Sequence, residues 1–194
     1  KGAIIYQFAG KAPQKPGIVL AAHLDALGAM VKKVNENTVQ LTAIGGYPAL
    51  YIIGDYCTIH TFSGKTLSGT ILPKNPAAHV NKDLRSLKPD FDNIEVRLDW
   101  TPASEEDKLA NHIEVGNFVS LDPKYQYVNG FVKSRHLDDK ASAAIMLYLA
   151  DLLLESANKL ERNVSLFFNV TEETGQGLGG LEAVEDLLII DMGV

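Results

Sequence analysis

Hydrophobic and polar positions follow two different patterns along this chain, and each predicts its own kind of structure. Toward the two ends the apolar residues come in short, almost unbroken runs: Ile18-Val19-Leu20-Ala21-Ala22, Val164-Ser165-Leu166-Phe167-Phe168-Asn169-Val170 and Leu187-Leu188-Ile189-Ile190. Such runs have no polar face, as expected for strands covered on both sides of a parallel sheet. A further strand pattern opens the chain at Ala3-Ile4-Ile5-Tyr6-Gln7-Phe8. From Lys140 to about Asn158 the sequence is rich in Ala, Leu and Met and free of Gly and Pro, which predicts a core helix. Asp138 and Asp139 precede it, where negative charge suits a helix N-terminus. Between about 28 and 132 the pattern changes to alternating strands punctuated by turn residues. Examples are 39–44 before Gly45-Gly46, 57–62 before Ser63-Gly64-Lys65, and 94–98. The expected architecture is α/β: a parallel-sheet domain built from residues 1–27 and 133–194, with a small β-barrel or sandwich inserted over 28–132.

Composition narrows the partners. The 194 residues, 46% hydrophobic and 22% charged, suffice for a sizeable core and exclude a disordered chain. With 18 Lys plus Arg against 24 Asp plus Glu, the net charge of −6 has the wrong sign for gripping phosphate backbones, so no nucleic acid partner is expected. One cysteine, Cys57, excludes an internal disulfide and a thiolate zinc cluster and fits a reducing cytoplasm. The longest apolar stretch, 141–154, is interrupted by Ser142 and Asp151 and is too short to span a bilayer. Residues 1–25 lack a signal-peptide pattern. A soluble, cytoplasmic protein with no membrane partner is expected. The chain opens at Lys1 without Met and closes directly after the strand 187–190, so it is expected to be part of a longer polypeptide.

The acidic residues carry the chemistry. Each apolar strand runs into potential metal ligands at its C-terminal end: His23 and Asp25, then Glu172 and Glu173, then Asp191. That edge is where open parallel sheets bind ligands. Asp138-Asp139 adds a fourth segment from the helix N-terminus. One imidazole and several carboxylates make a donor set suited to Zn, Co or Mn. Residues two apart share a strand face, so Asp25 is placed to orient the His23 imidazole. Adjacent Glu172 and Glu173 point different ways, so one can ligate while the other takes a proton from metal-bound water. Asp138 is the candidate bridge between two metals.

Four segments, Ala22-His23-Leu24-Asp25-Ala26-Leu27-Gly28, Lys133-Ser134-Arg135-His136-Leu137-Asp138-Asp139-Lys140, Thr171-Glu172-Glu173-Thr174-Gly175 and Asp191-Met192-Gly193, resemble the successive signatures of the glutamyl-aminopeptidase and tetrahedral (TET) aminopeptidase family. These are cytoplasmic dinuclear zinc or cobalt metallopeptidases, some of them named endoglucanase or cellulase. The resemblance covers essentially the whole chain. It implies a co-catalytic zinc peptidase domain in which His23 and Asp191 ligate one metal, Glu173 ligates the other and Asp138 bridges them. Glu172 is then the general base and Asp25 the support of His23. It also implies a cis peptide between Asp138 and Asp139, a peptide substrate, and self-association through the β insertion into dimers that build a dodecamer. Ala26 stands where the family commonly has glutamate. A further histidine ligand is expected beyond residue 194, and the 18-residue step from Glu173 to Asp191 suggests residues missing near Gly179-Gly180.

The expected function is therefore a metal-dependent aminopeptidase. Two other readings stay open: a carboxypeptidase or amide deacylase with the same dinuclear site, and a non-catalytic oligomer subunit. His60, His79 and His112 fall in the insertion and are expected in ordinary structural roles, as are His136 and Trp100. Gly175 to Gly180 lacks the Lys-Ser/Thr of a phosphate loop and reads as a strand exit beside the metals.

Overall fold

The computed structural model describes residues 2–104, 108, 111–156, 160–177, 179 and 184–193. They form two units, Lys1–Ala26 with Lys124–Val194, and Leu27–Pro123. Residues 124–132, placed with the insertion on sequence pattern, thus group with the first unit.

The first unit is a four-stranded sheet in the order β1-β11-β2-β12. Here β1 is Ile4–Phe8, β2 Ile18–His23, β11 Val164–Asn169 and β12 Asp186–Ile189. β11 and β12 both run parallel to β2, with Asn169 opposite His23 and Ile189 opposite Ala21. β1 departs from the expected parallel sheet by running antiparallel to β11. Only residues 9–17 join β1 to β2, fewer than the dozen or so that a parallel crossover needs. This connection passes against the β11 lead-in so closely that a Cβ at Gly17 would sit 2.4 Å from the Asn163 carbonyl oxygen.

Helix α1, Leu137–Ser156, becomes regular only after Asp138 and Asp139, whose backbones are non-helical. The expected end near Asn158 lies outside the described residues. Met146 and Ala143 are buried with Leu166, Phe168 and Phe8, while Ile145, Leu147 and Tyr148 on the same helix are exposed. The helix is therefore covered along one face, where a core helix was expected. Val19, Ala21 and Phe167 form a separate buried cluster. No helix among the described residues is long and apolar enough to cross a membrane.

The second unit is a closed antiparallel barrel, β3-β4-β7-β6-β5-β8. Its strands are β3 Gly28–Val34, β4 Thr38–Ile44, β5 Tyr56–His60, β6 Thr66–Pro73, β7 Ile94–Leu98 and β8 Phe118–Leu121. Alternation works as expected: Val39, Leu41, Ile59, Ile71, Ile94 and Val96 fill the interior while their neighbours face out. At Gly69 an added Cβ would lie 2.6 Å from Val96 Cγ1, so β6 carries a glycine where the neighbouring strand leaves no room for a side chain. The remaining strands, β9 Gln126–Val128 and β10 Phe131–Lys133, pair only with each other. Asn129-Gly130, both at positive φ, make their turn.

Candidate metal centre

The three parallel strands deliver their C-terminal ends to one edge of the sheet. β2 ends at His23, and β11 ends at Asn169, three residues before Glu172. Beyond β12, the Ile190 amide still donates to the Ala21 carbonyl at 2.8 Å, which carries the register up to Asp191.

His23 is buried, with Nδ1 3.0 Å from the backbone carbonyl of Asp25 and Nε2 3.0 Å from Asp138 Oδ1. A carbonyl only accepts, so Nδ1 carries the hydrogen. In the neutral ring Nε2 is then a lone pair facing a carboxylate oxygen, and two acceptors so close require a positive species, a proton or a metal ion. The electrostatics agree. Burial alone would lower the His23 pKa, yet the Asp25 carbonyl, the Asp138 carboxylate and the charge of Glu172 outweigh it and raise it. Glu172 Oε2 lies 3.8 Å from the same Nε2.

Asp25 meets the ring through its backbone, and its Oδ1 stands 3.6 Å from Nδ1. The carboxylate is engaged elsewhere, accepting the amides of Glu172 at 3.2 Å and Glu173 at 2.9 Å. One residue thereby links the imidazole to the glutamate pair. The Asp138–Asp139 peptide is cis. Asp139 is fully buried; its Oδ2 accepts the His23 amide at 3.0 Å and its Oδ1 has no hydrogen-bond partner among the described residues.

Two sets of potential ligand atoms each lie within 4.8 Å of one another: His23, Asp138 and Glu173, and His23, Asp139 and Asp191. Crowding of negative charge marks the centre, where Glu173 has its pKa raised by burial first and by the Asp138 carboxylate second. Nearby Lys140 donates to the Leu24 carbonyl at 2.6 Å. An orphaned buried carboxylate oxygen, a lone pair facing a carboxylate and clustered acids fit divalent cations, and nitrogen with oxygen donors fits hard-to-borderline ones.

The structure gathers His23, Asp25, Asp138, Glu172, Glu173 and Asp191 at this edge. Asp139, which the sequence offers only as part of the Asp138-Asp139 segment and without a role of its own, also lies here, and two neighbours escape sequence reasoning: Lys140, readable as helix surface, and Asn169, readable as part of a buried strand. His60 Nε2 bonds Ser120 Oγ on the barrel, and His112 packs on Trp100 with ring centroids 5.2 Å apart. Of the glycine-rich exit, residues 178 and 180–183 lie outside the described residues.

Residues 2–193 match the M42 glutamyl aminopeptidase family. The chain belongs to that family. It is 38% identical over 198 residues to YhfE of Bacillus subtilis, an inferred aminopeptidase, with all of this chain and 57% of YhfE covered. The fold is that of the TET aminopeptidase from a marine-sediment Thaumarchaeota archaeon, at TM-score 0.74 and 23% identity over 90% of this chain and 48% of that one. It is equally that of the Pyrococcus horikoshii TET1 peptidase, which assembles into a tetrahedron or a large octahedral shell, at TM-score 0.72 and 22% identity over 90% and 50% of the two chains. The chain thus spans about half the length of the relatives it matches.

Proposed function

We propose that the protein is a metallo-aminopeptidase that removes N-terminal residues from peptides, with two divalent metal ions, zinc foremost and cobalt or manganese as alternatives, at the edge formed by β2, β11 and β12. The observation that carries this reading is the His23 Nε2 lone pair set 3.0 Å from Asp138 Oδ1, beside the orphaned Asp139 Oδ1. His23 and Asp191 would hold one ion, Glu173 the other, and Asp138 both. Ions so held lower the pKa of bound water and polarise a carbonyl.

Glu172 is the general base. It is half exposed, so water and substrate can reach it, and its backbone is fixed by Asp25. It takes the proton from the attacking water and returns it to the leaving amine, which splits one difficult transfer into two short ones. Asp25 holds the imidazole in the tautomer that leaves Nε2 free. In the intact protein the barrel would mediate self-association into dimers and a dodecameric shell; that TET peptidases of this fold form a dodecamer, and a tetrahedron or octahedral shell, supports the self-association. A cytoplasmic location belongs to the same reading, supported by the free, buried thiol of Cys57.

Metal analysis of the full-length protein tests the reading. About two zinc ions per chain are expected, and Asp138→Ala should bind neither. Glu172→Gln should keep its metal and lose turnover of an aminoacyl p-nitroanilide by about 100-fold or more. A folded parent that binds no metal overturns the hydrolase reading in favour of an assembly subunit. Cleavage of N-acylated but not free-amine substrates would reassign it to a deacylase.

A further inference from the structure

Resting on the reading above, we infer that Asn169 is a positioning residue that, together with Asp25, determines which of the two adjacent glutamates faces the metal centre. The loop Thr171–Gln176 turns sharply, with the Gly175 amide on the Glu172 carbonyl at 2.7 Å, the Gln176 amide on the Thr171 carbonyl at 3.0 Å, and Gly175 at φ 78°. Four consecutive backbone amides lead into it. Asn169 Oδ1 accepts the first two, from Val170 at 2.8 Å and Thr171 at 3.2 Å, and also the Thr171 hydroxyl at 3.2 Å. Asp25 accepts the next two, from Glu172 and Glu173. Asn169 Nδ2 then closes the far side by donating to the Gln176 carbonyl at 3.0 Å.

The position suits the task. Asn169 is buried, opposite His23 in the sheet register, and its own carbonyl accepts the Leu24 amide at 2.7 Å. Adjacent residues on a loop exchange directions when the backbone rotates, so the difference between a ligand at 173 and a base at 172 is a matter of which peptide planes are held. Asparagine is needed because one side chain must accept from two amides and donate to a carbonyl. Aspartate keeps the shape and the acceptor, loses the donor, and leaves the Gln176 carbonyl facing a carboxylate.

The test compares full-length wild type with Asn169→Asp and the milder Thr171→Val, which removes one hydroxyl and no loop amide. The readouts are zinc content, the visible spectrum of the cobalt-substituted protein per bound cobalt, and kcat and KM on an aminoacyl p-nitroanilide. Misplacing a reacting group by about 1 Å costs on the order of 100-fold. Asn169→Asp is therefore expected to lower kcat by at least about tenfold with KM within about twofold, and to shift the cobalt bands; Thr171→Val should do the same to a smaller degree. A residue that served folding alone would leave the spectrum per bound cobalt unchanged. If Asn169→Asp does not fold, Thr171→Val alone decides by the same two criteria. An active wild type whose folded variants retain its kcat and cobalt spectrum overturns the positioning role. A wild type that binds no cobalt and cleaves nothing overturns the metallopeptidase reading itself, and this inference with it.

Discussion

In the barrel, the deepest positions are Val39, Leu41, Ile59, Ile71, Ile94 and Val96, whereas in the sheet unit His23, Asp139 and Asn169 are buried alongside Leu166 and Phe167. Two of the barrel's buried polar residues close turns. Thr61 Oγ1 bonds the Lys65 backbone, and Asn117 Oδ1 takes the Glu114 amide. In the sheet unit His23, Asp139 and Asn169 converge on one edge, and among the described residues Asp139 Oδ1 has no partner there, whereas the unpartnered atom at the barrel's Asn117 is an amide nitrogen. Both regions bury an unpartnered polar atom, but only the sheet edge sets a carboxylate oxygen among further acids, an arrangement that costs more stability than a lone amide donor and suits a cation.

Substitution inside the barrel should give the largest change in stability. Ile71→Ala removes a fully buried side chain from the barrel interior and is expected to cost about 2–5 kcal/mol, read by urea unfolding of the full-length protein. Zinc bound per folded chain should stay at the parental value. A matching loss of zinc affinity in the folded variant would erase the division between the two regions.

Asp139→Asn probes the other side of the comparison. Asparagine can still accept the His23 amide, and it removes one buried negative charge from a crowd of carboxylates. Zinc affinity should fall by about 10- to 100-fold while the metal-free protein is no less stable. Competition with a chelator and thermal melts of the metal-free protein check both halves.

A smaller effect is expected from pH. Glu173 is raised by burial first and by Asp138 second, and at His23 burial is outweighed by the Asp25 carbonyl and the Asp138 and Glu172 carboxylates. Both folded-state pKa values lie above the unfolded ones, so the metal-free folded chain holds more protons than the unfolded chain. These terms favour the fold fully below the ordinary carboxylate pKa of about 4.5 and are lost as pH rises through the raised Glu173 value and then the raised His23 value. The metal-free protein should therefore melt lower at pH 8 than at pH 5. Saturating zinc should reverse that order, because its ligands bind deprotonated.

Much of this was legible in the sequence because hydrophobic period reports burial. The runs at 18–22 and 164–170 and the alternation at 39–44 and 94–98 mark β2, β11, β4 and β7. The antiparallel direction of β1 escaped it, since strand direction depends on the length of the connection and not on the pattern within the strand. At the site, strand ends located His23, Glu172, Glu173 and Asp191, because a strand's end is a local feature. Asn169 was not legible, and Asp139 only as the neighbour of Asp138: their particular contacts are with partners 7 and 116 residues away, which the folded chain brings within hydrogen-bonding distance.

Cys57 gives the finest form of the comparison. Its thiol lies in the barrel wall with its pKa pushed up to about 12, chiefly by burial and secondarily by the Asp99 carboxylate. A thiol reacts as thiolate, so at pH 8 the folded protein should resist a disulfide reagent, while the urea-unfolded chain reacts at once. Because the folded value is raised, the contribution of this group to stability is complete below the unfolded thiol pKa of about 8.5 and is lost as pH rises toward the folded value. Cys57 should therefore add no pH dependence across the range in which His23 and Glu173 respond. Cys57→Ser supplies the control: labelling at this position disappears, and the melting difference between pH 5 and pH 8 persists. If that difference vanished with the cysteine, the pH response would belong to the barrel and not to His23 and Glu173.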